Sequence, residues 1–325
     1  MEGALIGRAL RHVEELWPGY YGLLLTAPFL GWFVWTVLIS GERRPELFLI
    51  TLVVFGLALG TKKSKRLFIG LYPIGLLGLV YDGMRFVKNV GLTADRVHIC
   101  DLRALDMHIV SVDLGGGMRG SVHDYFLTHH WTIVDIICAV PYGTFIYVDI
   151  AFAIFLYTRD YSAMQRFGWT FLLLNLAGFV TYHIYPAAPP WYYHAHGCVA
   201  DLTSHASEGR RLAHVDALMG WGYFAGFYGR SNDVFGAVPS LHVAYPSLVI
   251  LYGWKHFKTP LRIASVIFLV TMCFAAVYLD HHWIFDVLLG LTYTLTVFAA
   301  VRFVWNKLAD RAPSQAAAPQ VHHGA

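Results

Sequence analysis

Histidine is abundant in this 325-residue chain, with 17 copies, and two of them sit in segments suited to nucleophilic and acid–base chemistry. In YLDHHWIFDVLLG, residues 278–290, His282 and Asp286 are four apart. At the start of a helix that spacing puts both side chains on one face, one turn apart. The carboxylate then accepts the N–H of one imidazole nitrogen and leaves the other as a nucleophile or base. The same geometry turns His281 away, as an interfacial polar residue. In FGAVPSLHVAYPS, residues 235–247, Pro239 suits the first turn of a helix, and Ser240 offers a hydroxyl and a free backbone N–H. Such a helix N-terminus holds an anion, and His242 above it is placed to protonate an ester oxygen. Alone, H-x-x-x-D is more often a histidine beside a helix cap, and Pro-Ser-x-His a helix start. Two such segments at the ends of apolar runs favour a site.

The elements that must position them are membrane helices. The chain is 57% hydrophobic, 16% aromatic and 14% charged, whereas a soluble domain is about 45–50% apolar and about 25% charged. Disorder, polar repeat arrays and ordinary cytosolic enzymes are excluded, and a net charge of +3 gives no general surface for nucleic acid. Apolar runs at roughly 20–39, 46–61, 67–83, 131–157, 167–186, 239–254, 262–280 and 282–305 predict an all-α polytopic bundle of about eight spans. At least six are expected, since the second and sixth are short enough to be re-entrant. Lys62, Lys63, Lys65, Arg66, Arg159, Arg166, Lys255, Lys258 and Arg262 fall in one set of loops, which the positive-inside bias makes cytoplasmic. Both histidine segments then face the other side, with two long connections, 84–130 and 187–238. Residues 1–19 do not read as a cleavable signal, and 310–325 read as a disordered tail. The expected division is N-terminal membrane helices over 1–66, a catalytic membrane domain over 67–309, and the tail.

Several further residues carry an open question. Asp135 and Asp149 lie inside an apolar run, which is expensive in lipid unless they face a polar cavity. Pro186, Pro189, Pro190 and Trp191 read equally as a helix stop and as a pocket wall. Cys100 and Cys198 lie in polar connections and would pair only in an oxidising compartment. Gly115–Gly117 has no following strand and helix, so it is a loop and not a phosphate cradle. There is no metal-ligand spacing among the cysteines.

PSLH and H-x-x-x-D, forty residues apart, resemble the second and third signature motifs of the type 2 phosphatidic acid phosphatase superfamily. FGAVPSLH, YLDHHWIFD, YPAAPPWYY (185–193) and DIICAVPYG (135–143) are closer to its inositol phosphorylceramide synthase branch. The resemblance covers roughly 70–315. It implies that His282 takes the phosphoryl group, that Asp286 orients it, and that His242 protonates the departing alkoxide and later deprotonates the incoming hydroxyl. It implies no metal and no cofactor. The donor it implies is phosphatidylinositol and the acceptor ceramide or a related lipid alcohol, at a bilayer face that is periplasmic in a bacterium or luminal in a Golgi membrane. Where the phosphatase branch has Ser-Arg before the third-motif histidine, this chain has Ala275 and Ala276, and the first motif, a lysine followed by Arg-Pro, is absent, its place taken by the region from His183 to Pro190. Candidate substrate-binding residues are accordingly Ser240, Arg230, Asp135, His183 and Trp191, with Arg85 and Arg119 as other cations. The alternatives are a lipid phosphate phosphatase, and a non-catalytic transporter or scaffold. A transporter would place its ionisable groups near the midplane.

Overall fold

A computed structural model describes residues 2–41, 45–229 and 233–311. Inside a bilayer no water satisfies backbone N–H and C=O groups, so a single apolar segment must close its own hydrogen bonds as a helix. All eight apolar runs do so. An amphipathic α1 (Glu2–Leu16) precedes α2 (Tyr21–Phe33), which continues as a π-helical stretch, Val34–Ile39. Next come α3 (Pro45–Leu59) and α4 (Lys62–Val87), then α5 (Cys100–Ile109), strands β1 (Ser111–Asp113) and β2 (Arg119–Ser121), and α6 (Val122–Thr128). The long pair α7 (Thr132–Arg159) and α8 (Tyr161–Ile184) leads to the short α9 (Pro190–His196), α10 (Gly209–Met219) and α11 (Tyr223–Tyr228). The chain ends in α12 (Leu241–Gly253), α13 (Thr259–Tyr278) and α14 (Ile284–Arg311).

Among the described residues six helices are long and apolar enough to cross a membrane, and the apolar parts of α3 and α12 are shorter. These two are the short runs that the sequence set apart. Among the described residues the strands are confined to the antiparallel β1–β2 hairpin. Its turn holds Gly115, Gly116 and Gly117, all at positive φ (96°, 62° and 81°), where a side chain would be strained.

The short helix α12 is the hub, packed on α7, α8, α13 and α14. Its Val243, Ala244 and Leu248 are fully buried. The N-terminal helices form a smaller aromatic cluster, with Trp17, Phe29 and Phe68 edge to face, and α4 joins it to α8. The 28 residues of α7 make about 42 Å of helix, against a hydrocarbon core of about 30 Å. The helix is longer than a straight crossing needs, and its first turn contains Asp135.

Helices α5, α6, α9 and α10 with the hairpin cover the end where α12 and α14 begin. Three backbone segments tie this cover to the bundle. His98 bonds Pro186 and Ala188, while Ala187 bonds Phe235 and Ala237, so the three run side by side as parallel bridges. Cys100 and Cys198, 98 residues apart, form a disulfide that closes the two long connections on each other.

Candidate active site

His282 and His242 meet directly. His282 leaves the end of α13 in a turn where the N–H groups of His281 and His282 both donate to the Ala276 carbonyl (3.2 and 2.9 Å). The turn is made by Asp280, the one non-glycine residue at positive φ (69°) among those described. His242 projects from the first turn of α12. His282 Nδ1–H donates to the Ala237 carbonyl at 2.9 Å. A carbonyl only accepts, so this bond fixes the tautomer and leaves a lone pair on Nε2. Nε2 in turn accepts His242 Nδ1–H at 3.0 Å. The other His242 nitrogen, Nε2, faces the Tyr228 hydroxyl at 3.3 Å. Tyr142 stacks on the His242 ring, with centroids 4.6 Å apart and planes 14° apart, and locks its orientation.

Asp286 stands beside His282 as its spacing suggested, but as the more distant of two acceptors. Its carboxylate lies 3.5 Å from His282 Nδ1, farther than the Ala237 carbonyl. Its Oδ2 accepts the Trp283 N–H at 2.9 Å and so caps α14. The reason is that α14 begins at Ile284, so His282 precedes the helix and the one-turn geometry does not apply. Asp286 is fully buried and lies beside the ring without being its main acceptor. Ser240 is also corrected. Its N–H is not free but donates to the Asp286 carbonyl at 3.0 Å, which pins the start of α12 onto α14. Its buried hydroxyl has no hydrogen-bond partner among the described residues.

Of the remaining candidates, Trp191 lines the cavity in front of the histidine pair. His183 is exposed at the end of α8, and its carbonyl accepts from Arg96. Asp135 is fully buried away from the cavity lining, where it accepts the Tyr278 hydroxyl (2.6 Å) and pairs with His214 (2.9 Å), joining α7, α13 and α10. Arg230 lies outside the described residues. Ala275 and Ala276 are fully buried in the core, so no cation replaces the missing Ser-Arg there. Among the described residues no group of three or more His, Cys, Asp or Glu is placed to hold a metal ion.

The sequence reading passed over several members. His281 is buried, lines the cavity and bonds the Glu208 carbonyl at 2.8 Å. Behind the turn, Asp280 lies between His123 (3.2 Å) and His194 (2.6 Å). His194 reaches Asp124 (3.2 Å), which pairs with Arg103 (2.7 Å). Asp106 takes the Ile284 N–H at 2.7 Å, the far side of the same turn. The turn carrying His282 is thus gripped from both ends. Asp280 and His281 were visible in the DHH triplet. Ala237 left no signal, because it acts through its backbone.

The electrostatics suit a neutral nucleophile. Burial, only partly offset by the Ala237 carbonyl, brings His282 down to about 4, and burial brings His281 to about 4 as well. At Asp280 burial alone would raise the carboxyl, but hydrogen bonds from His123 and His194 outweigh it and hold it near about 2. At His194 burial opposes the charge, yet Asp124 and Asp280 raise it to about 9.

In front of the pair is a cavity of about 670 Å³, walled mainly by aromatic side chains from α4, α7, α8 and α11, with Asp233 and Ser207 at its polar end. A polytopic bundle that brings two histidines and a carboxylate together at helix ends, beside an apolar cavity, defines a class of membrane-embedded lipid phosphoryl-handling proteins. The sequence profile of the PAP2 superfamily matches residues 106–300, and the chain belongs to that superfamily, in the branch that holds the inositol phosphorylceramide synthases. Phosphoinositol dihydroceramide synthase of Bacteroides thetaiotaomicron is 33% identical over 276 residues, covering 84% of this chain and 85% of its own length. Inositol phosphorylceramide synthase of Candida albicans is 32% identical over 176 residues, 53% of this chain and 36% of that protein. The catalytic subunit of the Saccharomyces cerevisiae synthase is 29% identical over 200 residues, 58% of this chain and 48% of its own. The chain thus spans less than half of either fungal relative. No solved structure matches it.

Proposed function

We propose that this protein transfers a phosphorylated polyol headgroup from phosphatidylinositol to ceramide or a related lipid alcohol, releasing diacylglycerol. The observation that carries the reading is the His242–His282 contact at the head of an apolar cavity, in a chain 33% identical to a phosphoinositol dihydroceramide synthase. His282 Nε2 attacks phosphorus, and the P–O bond to diacylglycerol breaks. His242, in its charged form, gives the Nδ1 proton to the departing alkoxide. The neutral ring, its Nε2–H held by the Tyr228 oxygen, then takes the proton of the acceptor hydroxyl as that oxygen attacks phosphorus and the P–N bond breaks. Covalent transfer splits one displacement into two, and one group serves as acid and then base. The bond between the two rings opens to admit phosphorus, so both stand at contact distance from it. Asp286, beside His282 Nδ1, stabilises the charge the ring gains.

The cavity walls exclude water from the phosphohistidine, which favours an alcohol acceptor over hydrolysis. The buried Ala275 and Ala276 leave no cation for a dianionic monoester at that place. A non-cytoplasmic active-site face is supported by the Cys100–Cys198 disulfide on the same end of the bundle and by the lysines at the start of α4 at the other. The test is reconstitution in liposomes containing phosphatidylinositol and ceramide. Expected are equal amounts of inositol phosphorylceramide and diacylglycerol, with an acid-labile phosphoenzyme when the acceptor is omitted. Rapid phosphate release from phosphatidic acid, with no transfer to any alcohol, would instead make the protein a lipid phosphatase.

A further inference from the structure

We propose that donor and acceptor lipids use one and the same lateral mouth, between α4 and α7, whose rim is Tyr81 and Met84 on one side and Ile146 and Tyr147 on the other. The inference rests on the transfer reading above and adds where the hydrocarbon chains go. Helices α7 and α8 meet at the Asp160 turn and pack tightly near it, with Phe152 edge to face on Phe167 at 5.1 Å. Farther along, α12 lies between them, with Tyr245 4.6 Å from Phe171 and 5.6 Å from Phe145. The cavity occupies the space this leaves in front of α12. Its back is Leu241 and His242, and its flank toward α8 is Phe179 and Tyr182.

On the remaining side the wall ends at residues that line the cavity and are also open to the outside. Tyr81 is 52% exposed, Ile146 37% and Tyr147 59%. All three lie within helices long and apolar enough to span the bilayer, so what meets them is lipid chain. α4 itself precedes residues 106–300, the part matched by the superfamily profile, so this side of the mouth is an addition to the shared core.

One mouth can serve the two lipids in turn. While the headgroup waits on His282, diacylglycerol leaves by the way it came, and ceramide then enters the same cavity, of about 670 Å³.

The experiment compares kcat/KM for long- and short-chain substrates in liposomes, varying the donor (dioleoyl against dioctanoyl phosphatidylinositol) and the acceptor (long-chain against six-carbon ceramide). Met84→Trp and Ile146→Trp narrow the mouth. Ile267→Trp, on the lipid-exposed face of α13, is the control. For both rim variants the long-to-short ratio should fall about tenfold for donor and acceptor alike, with the control ratio unchanged. A fall for one lipid only would mean separate entrances. No fall, or an equal fall with Ile267→Trp, would overturn the mouth altogether. If the rim variants fail to fold, wild-type protein is photolabelled with a lipid carrying a diazirine in its chain. Adducts at 81–84 and 146–147 from both lipids support the proposal, and adducts elsewhere overturn it. Wild-type protein that transfers nothing from phosphatidylinositol would refute the transfer reading instead. The mouth would then be tested by the same ratios with phosphatidic acid hydrolysis as the readout.

Discussion

At the scale of single residues, the tautomer of His282 is set by a backbone carbonyl, and this changes what substitutions do. His282→Ala removes the proposed nucleophile, so turnover should be abolished while detergent-solubilised protein keeps its thermal transition. Asp286→Asn keeps an oxygen for the Trp283 N–H and leaves Ala237 to hold the ring. What it removes is a carboxyl that can turn negative as the ring turns positive, so a loss of about 10²-fold in kcat is expected, milder than the roughly 10⁴-fold seen where a carboxylate is the main partner of a catalytic histidine. A loss as complete as that of His282→Ala would show that Asp286 does more than supply charge. The rate should also report the buried imidazole. With His282 held near about 4, kcat/KM should fall as pH drops toward that value and the nitrogen is protonated, and should fall again as pH rises and His242 loses the proton that it must give. Chelators should leave the rate unchanged in the same assay.

At the scale of elements, the site depends on how closely α12 and α14 approach. The Ser240 N–H and the Asp286 carbonyl join the two helix starts. Gly290 makes the approach feasible, because a Cβ there would run into the Ser240 carbonyl oxygen, which is backbone and has no rotamer by which to yield. Gly290→Ala should push α12 away and separate His242 from His282. A displacement of about 1 Å is enough to cost about 10²-fold in rate, so activity should fall by that order in protein that still folds. Retained activity would mean that the helices slide without parting the histidines. The disulfide is the second link at this scale. Closing 98 residues is worth about 3–5 kcal/mol by loop entropy. Cys100→Ser or a reductant should lower the thermal midpoint, and mobility on non-reducing gels should show the bond directly.

At the scale of the whole molecule, buried histidines of opposite kinds set the pH range of stability. His281 and His282 fall to about 4 in the folded chain. The unfolded chain therefore takes up protons first, and stability is lost as pH falls from 6.5 toward 4. His194 is raised to about 9. Its contribution is complete below 6.5 and is lost as pH rises through 9. The thermal midpoint in detergent should peak near pH 6.5, and His194→Gln should flatten the alkaline side. The same cover that holds His194 also holds the disulfide and the histidine pair, so all three lie at one end of the bundle. Membrane-impermeant thiol labelling of single cysteines placed at 63 and at 205 should mark opposite sides.

Some of this was written in the sequence and some was not, and the division follows the range of the interactions. Helix in lipid is a local necessity, so eight apolar runs, two of them short, could be read directly. His242, His282 and Asp286 stood out because their motifs are contiguous and lie at the ends of those runs. What could not be read depends on which distant backbone comes near. The partner of His282 Nδ1 is a carbonyl 45 residues away, and any side chain at 237 would carry one. Asp135 looked like a cost inside a span until the fold set it beside His214 and Tyr278. His123, His194 and Asp280 meet from three connections that only the closed fold brings together. The motifs determined which side chains are the candidates to react; the packing of the cover on the bundle decided what aims them, because aim is set by contacts between segments that the chain order keeps far apart.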